Sequence, residues 1–567
     1  MNDVVLDPVI GAQLLSNDDV ISFDLETTGL SPWKDNIALM QFHGHTTQTP
    51  VVVRVADGVV PEAIKALFAS GHRQYVGHNV GGFDVLFLDT HGVNWKCNTW
   101  FDTLIGEGMI STTGRRDVSR NLKNSVRRRL GLTLDKDIEH GKWTAEVLSE
   151  AQMTYAVNDV LYLYDLMKEQ VLKADSQGQT KAIEMEMQLV PITAQMTLNG
   201  LPLLPEVLNA WLDEQRELEV VSHDWLNEHL GSINYASPIQ IMKAVKSLGL
   251  EFENTRAETL AELANYGEGL GSEVAKHMLD YRAPAQRIKM YQQSWQDRYI
   301  CDNWVHARFW QTGTDTLRYS SSDPNLQQVP KDGRKIIGNL DGIEIVNADY
   351  SQIEVRIAAE IANDENLKNL LDSGDVHRNI AAQIFQVPAG EVTDEQRKMA
   401  KACTFTLLFG GGANGLYQYA RNSGASLSQE EAMDIFSGFF TAFQGLRRVR
   451  EQAQGLARNR HVVTIQLPNS AKRVLVGSNV TPNRILNTAV QGSAAVGLKY
   501  AMIEADKAGL MKYIGATVHD ELVAAVPTTE AVEYGHELEQ AMIRGMQVIF
   551  PNMITKVEVK QGKCWQR

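Results

Sequence analysis

The sequence predicts a multidomain protein of mixed α/β and α+β class, and three observations carry that expectation. The chain has 567 residues, more than one hydrophobic core organises, which points to roughly three or four domains. Residues 1 to about 175 alternate short apolar runs with helical stretches. From about 180 the pattern turns to long amphipathic helices, and strand-like runs return after 300.

Taken in order, the first strand is legible in "ISFDLETTGL", residues 21–30. Ile21, Phe23 and Leu25 alternate with Ser22, Asp24 and Glu26, the period of a half-buried strand. Asp24 and Glu26 therefore share a face, where like charges repel unless something positive sits between them. "IALMQF" and "VVVRV" read as further strands, and "GHNVGG" as a turn. The helix "AIEMEMQLVPITAQMTLNG" should stop at Asn199–Gly200. Strands are expected at "VHARFW" and "IEIVNAD", a helical block over about 365–460, and two strands meeting at a turn in "GATVHDELVAAVP". No repeat of 20–50 residues and no low-complexity tract is evident.

Composition narrows the class. With 44% hydrophobic and 22% charged residues the chain is an ordinary globular protein. It has no run of about 18 apolar residues, so no membrane span is expected. The start, "MNDVVLDPVIGAQLL", reads as neither a secretory signal nor a transit peptide. Cys97, Cys301, Cys403 and Cys564 lie far apart and read as reduced thiols of a cytoplasmic protein. The net charge of −15 counts against a polyanion partner, so distribution decides. Residues 115–130, "RRDVSRNLKNSVRRRL", carry seven basic residues and one acid, and as a helix would align Arg116, Arg120, Lys123 and Arg127. The plain reading is a solvated basic face. Further clusters stand at 397–401 and 447–450.

Two groups of acids point to chemistry. "GHNVGGFDVLFL" supplies Asp84, and "TYAVNDVLYLYDL" puts Tyr155 and Asp159 four apart on one helical face. Together with Asp24 and Glu26 they can converge on a pair of hard divalent cations. Downstream, Asp349 ends a strand and Asp520 sits at a hairpin tip, which again suits a metal pair. Between them Arg397, Lys401, Phe405 and Phe409 form one helical stripe, cationic then aromatic, fit for a triphosphate and a flat base.

The ordered set "DxE…Nx₃FD…Yx₃D" resembles the DEDD-type 3′–5′ exonucleases of the tyrosine subclass. The remainder resembles the A family of DNA polymerases, the group of bacterial DNA polymerase I and many phage replicative enzymes. "GTDTLRYSSSDPNLQQVP", "DYSQIEVR", "DVHRNIAAQIF", "RKMAKACTFTLLFG", "RILNTAVQGSAAVGLKYAM" and "VHDELV" carry that likeness in order. It implies an RNase H-like exonuclease domain over 1–175 and a right-hand polymerase domain. Within the latter, the thumb would span 180–300, the palm 301–365 and 480–567, and the fingers 366–479.

The resemblance also implies roles. Asp24, Glu26, Asp84 and Asp159 would be metal ligands and Tyr155 would orient the attacking water. Asp349, Asp520 and the carbonyl of Tyr350 would hold two Mg²⁺, with Mn²⁺ able to substitute. Gln352, Glu354, His377, Arg397, Lys401, Phe405 and Phe409 would receive the dNTP, Glu354 by filling the space of a ribose 2′-OH. Arg318, Asn325, Gln327, Gln491 and His519 would contact the primer–template duplex. The implied activity is DNA-templated dNTP addition with proofreading by a cytoplasmic monomer, in the host cytoplasm if phage-encoded. A processivity factor, a helicase or a single-strand-binding protein would be its further partners. The lean architecture is similar to phage replicative enzymes, and no 5′-nuclease domain is expected ahead of the exonuclease.

Several positions depart from the family pattern: Leu317 for Gly, Thr404 and Thr406 for Asn and Gly, and Phe409 for Tyr. "GGGANG", 410–415, fits a dinucleotide-binding string but follows a helix, so a helix-ending loop is expected. Two other functions compete: a nuclease with an inactive nucleic-acid clamp, and a single-subunit RNA polymerase. Phe405 sharpens the expectation, because a phenyl ring has no hydroxyl to stand in for a missing sugar 3′-OH. Dideoxynucleotides should be strongly disfavoured and Phe405→Tyr should relax this, as incorporation of both nucleotide types side by side measures.

Overall fold

A computed structural model describes residues 4–111, 119–134, 143, 148–408, 410–422 and 427–566. The N-terminal sheet has five strands: β1 (Val20–Thr27), β2 (Ile37–Gly44), β3 (Pro50–Arg54), β4 (Gln74–Gly77) and β5 (Thr99–Asp102). Their order is β3-β2-β1-β4-β5, antiparallel on the β3 side of β1 and parallel on the other. Phe23, Phe42, Phe68, Tyr75 and Trp100 pack as one aromatic core, with Phe68 stacked on Tyr75 at 4.5 Å. Helix α1 (Asp84–Thr90) follows β4, and α2 (Glu150–Leu161) begins at a reciprocal cap between Ser149 and Gln152.

Helix α3 (Thr180–Asn199) is the spine of the molecule. It stops at Gly200, whose φ of +62° lies where glycine is favoured, as its sequence indicates. Val190 and Ala194 join the aromatic core, while Leu189, Ile192 and Met196 join the larger core of the C-terminal region. The long helices Pro205–Leu230 and Gly269–Met290 pair with each other. Beyond them Leu226, Tyr235, Ile241, Leu260 and Met278 close a separate small core.

The C-terminal region is built on a four-stranded antiparallel sheet of β6 (Ile343–Tyr350), β7 (Ile514–Val518), β8 (Glu521–Pro527) and β9 (Val557–Gly562), ordered β7-β8-β6-β9. Helix α4 (Ile353–Ala362) follows β6. Then come α5 (Val376–Phe385) and α6 (Asp394–Leu408), while α7 (Pro482–Lys507) and α8 (Ala531–Ile549) pack on each other. No helix among the described residues is long and apolar enough to cross a membrane.

Two expectations change. "VHARFW" is not one strand: Trp304–Val305 and Arg308–Trp310 pair in different sheets, and between them His306 turns out to donate from Nδ1 to the Thr197 carbonyl at 3.0 Å. The basic stretch is not one helix either. Asn121 accepts from the Asn124 amide, so the helix spans only Leu122–Leu130, and Arg116 lies outside the described residues. Arg120 precedes that helix, is buried, and donates to the Thr312 carbonyl at 3.2 Å. Arg128 and Arg129 pair with the buried Glu107 at 3.0 and 2.9 Å, so these three cations serve the interior.

Leu317, where the family pattern has Gly, is fully buried at a φ of +61°. The left-handed conformation costs a branched residue roughly 1–2 kcal/mol. Removing a buried leucine costs more, about 3–5 kcal/mol. Burial wins, so Leu317→Gly is expected to destabilise the protein by about 1–4 kcal/mol despite relieving strain. A urea-denaturation midpoint measures this.

Candidate active sites

The first site lies on the face of the N-terminal sheet that α2 covers. Alternation along β1 buries Phe23 and Leu25 and leaves Asp24 and Glu26 half-buried on the other face. Asp159, from α2, joins them, and one carboxylate oxygen of each lies within 4.8 Å of the others. Asp84 heads α1 just beneath and is not within that group of three. Its Oδ1 is buried with no hydrogen-bond partner among the described residues. Burial, with the Asp102 and Glu26 charges, raises its carboxyl well above the usual range. The Tyr155 hydroxyl is likewise pushed up by burial and by Asp159, Glu26 and Asp24, which places all four groups in one electrostatic neighbourhood. An all-oxygen donor set under mutual repulsion fits hard divalent cations.

The second site lies at the end of the C-terminal sheet. Asp349 is opposite Glu521 in the β6–β8 register, and the Tyr350 amide donates to the Asp520 carbonyl at 3.4 Å. Burial raises Asp349 to about 7, reinforced by the Asp520 charge, and burial raises Asp520 to about 6. Asp349 Oδ1 is buried without a hydrogen-bond partner among the described residues, so these acids too fit a divalent cation.

Around this pair the sequence-predicted residues fall into groups. Gln352 stands at a φ of +55° and starts α4, whose first turn carries Glu354. Arg318 forms an ion pair with Glu354, and His519 is held below its usual pKa by burial and by the Arg318 and Arg334 charges. Gln327 donates to the carbonyls of Tyr319 and Thr517 at 3.1 and 3.3 Å, and Asn325 caps the same short turn. Gln491 is half-buried on α7.

On the helical pair α5–α6, His377 is buried, and burial plus the Lys401 and Arg397 charges lower its pKa. Arg397 Nε donates to Asp375 Oδ2 at 2.6 Å, and Asp375 also caps α5, while Lys401 is exposed. The side chain of Phe405 and the whole of Phe409 lie outside the described residues.

A sequence model of DNA polymerase family A matches residues 209–567. The chain belongs to that family. A 3′–5′ exonuclease model matches residues 11–172, so this family A DNA polymerase carries its exonuclease domain in front. The DNA polymerase I of Aquifex aeolicus is 26% identical over 98% of this chain and 97% of its own length. That of Streptococcus pneumoniae is 27% identical over 85% of this chain, which spans 57% of the relative. Among solved structures, the POL domain of Pol1 from M. smegmatis, in complex with DNA primer-template and dNTP, shares the fold. It has a TM-score of 0.84 at 23% identity, covering 99% of both chains.

Sequence reasoning missed a support layer in this family A polymerase. Glu521, next to Asp520, is buried and accepts from Asn347 Nδ2 at 2.7 Å and Trp565 Nε1 at 2.8 Å, and pairs with Arg334 at 3.1 Å. Arg334 also lies over the Trp565 ring at 4.2 Å. The second acid in "VHDELV" was the available signal, whereas its partners are remote in sequence.

Proposed function

We propose that the polymerase region adds dNTPs to a primer 3′ end at Asp349 and Asp520, and that the exonuclease domain trims mispaired ends at Asp24, Glu26, Asp84 and Asp159. The observation that supports this reading is that the Tyr350 amide, next to Asp349, bonds the Asp520 carbonyl, and that Asp349 and Asp520 each have a raised pKa. With the Tyr350 carbonyl they would hold two divalent cations, Mg²⁺ by the oxygen donor set. Such ions would lower the pKa of the attacking hydroxyl and offset charge on the leaving pyrophosphate.

The remaining roles belong to the chain's own side chains. Glu354 excludes a ribose 2′-OH by bulk, and the ion pair with Arg318 holds it in place. His377, Arg397 and Lys401 would attract the triphosphate, Gln352 would contribute to the same dNTP site, and Phe405 and Phe409 would serve the base and sugar. Gln327 fixes the segment that meets the duplex, alongside Asn325, Gln491 and His519. At the other site Tyr155 orients water against the scissile phosphodiester. The domain division that fits is exonuclease 1–175, thumb 180–300 with α3 as its root, palm 301–365 and 480–567, and fingers 366–479. Primer–template DNA and dNTPs are the partners, as in the complex of the M. smegmatis relative.

A primer-extension gel with Mg²⁺, with and without dNTPs, tests both activities together. Asp24→Ala should abolish shortening of the primer while leaving extension at its original rate. Loss of both activities together would show that the two sites are not separable.

A further inference from the structure

The loop that follows the Asp24/Glu26 strand is held by the polymerase region. Residues 28–36 leave β1 just after Glu26, and Leu30 at their tip is 72% exposed. Three contacts cross to this loop from the C-terminal region. Arg308, on the short strand Arg308–Trp310, donates from Nη2 to the Leu30 carbonyl at 2.7 Å. Trp33 stacks on His306 with ring centres 4.1 Å apart and planes at 24°. Lys34 Nζ donates to the Asp297 carbonyl at 2.5 Å.

Arg308 does more than close the seam. Its guanidinium also lies 5.8 Å from the centre of the Phe83 ring, and Phe83 is the residue before Asp84. One side chain thus touches the loop that follows the Asp24/Glu26 strand and the residue that precedes the third acid. A cavity of about 160 Å³, lined also by Arg298, Tyr299 and Asp323, opens beside it. The strand that carries Arg308 pairs with Ser320–Ser322, where Ser322 is opposite Arg308, and that strand runs into Asp323 and Asn325.

We propose that Arg308 is a positioning residue for the exonuclease reaction, supplied by the polymerase region, which holds the 28–36 loop and Phe83 in register with the metal-binding acids. The inference rests on reading Asp24, Glu26, Asp84 and Asp159 as the exonuclease site. A planar guanidinium suits the task, since one group can donate to a carbonyl while its face or edge meets an aromatic ring. The exonuclease domain therefore owes part of its catalytic geometry to its neighbour.

The test uses the full chain, Mg²⁺ and a 3′-labelled single-stranded oligodeoxynucleotide. Arg308→Ala should lower the exonuclease kcat about ten-fold or more, as small misplacements of reacting groups do, with KM held within about two-fold. Primer extension by the same preparation should keep its rate, which reports that the chain is folded. Arg308→Lys should recover part of kcat, since an ammonium reaches the Leu30 carbonyl without the planar ring contact. Unchanged hydrolysis in Arg308→Ala overturns the proposal, as does an equal fall in extension. A rise in KM with kcat intact and a shallower salt dependence also overturns it, in favour of direct phosphate contact. Asp24→Ala, run alongside, separates the two levels: if it still hydrolyses the oligonucleotide, the site assignment itself fails.

Discussion

Replacing Asp349 or Asp520 by Asn should lower nucleotide addition by about a thousand-fold or more while leaving primer-end hydrolysis intact. Asn keeps the shape and loses the charge, so the variant removes the affinity for divalent cations without opening a cavity. Asp349 sits near the end of β6, opposite Glu521, and Asp520 in the turn that joins β7 to β8, so neither backbone needs to move. Single-turnover extension on a primed template measures the loss, and degradation of a single-stranded oligonucleotide is the internal control.

The same variants carry a stability signature. Asp349 titrates near 7 when folded because burial and Asp520 disfavour its charge, against about 3.9 when unfolded. Between those values the folded, metal-free protein binds more protons than the unfolded chain. Its stability therefore falls as pH rises from about 4 to 7. Asn cannot ionise, so in EDTA at pH 7 Asp349→Asn should be more stable than the parent by on the order of 1–2 kcal/mol, discounted for the site's opening to solvent. The difference should vanish near pH 4. Thermal melts across that range measure it, and a variant equally or less stable at pH 7 would contradict the repulsion account.

What the sequence made legible was whatever repeats locally. The alternation of Asp24 and Glu26 with Phe23 and Leu25, the four-residue step from Tyr155 to Asp159, and the strand–turn–strand around Asp520 all follow from backbone periods of two and 3.6. Gly200 marked the end of α3 because a positive φ there favours glycine. The errors arose where a local signal was overridden. Asn121 is a helix cap inside a stretch read as one basic helix, and Arg120 and Arg128 were drawn inward by partners elsewhere in the chain. The supports of both sites were not legible, because their partners are far apart: Arg308 and Leu30 are 278 residues apart, and Glu521 depends on Trp565 and Arg334. A contact between remote positions leaves no period in either segment.

Another long-range link, a buried ion pair, should be the most costly to break. Lys499 on α7 and Glu186 on α3 are both fully buried and form an ion pair. Lys499 also donates to the Gln311 carbonyl at 2.9 Å, and Gln311 donates to Glu186 Oε2 at 3.0 Å, so the three groups satisfy one another. Taking two charges out of water is expensive, and the pair stands only because each compensates the other. Lys499→Met keeps most of the volume and leaves a carboxylate buried against Gln311. It is expected to destabilise the protein by about 3–5 kcal/mol. Adding Glu186→Met should recover most of that loss, since the stranded charge is what costs, not the absent attraction. Because α3 packs on both the exonuclease core and the C-terminal core, the single variant should loosen the two regions from each other before either unfolds. Limited proteolysis near residue 180 and denaturation midpoints of the two singles and the double read this out. A double variant no more stable than Lys499→Met would mean that the pair is a net attraction, and the stranded-charge argument would fall.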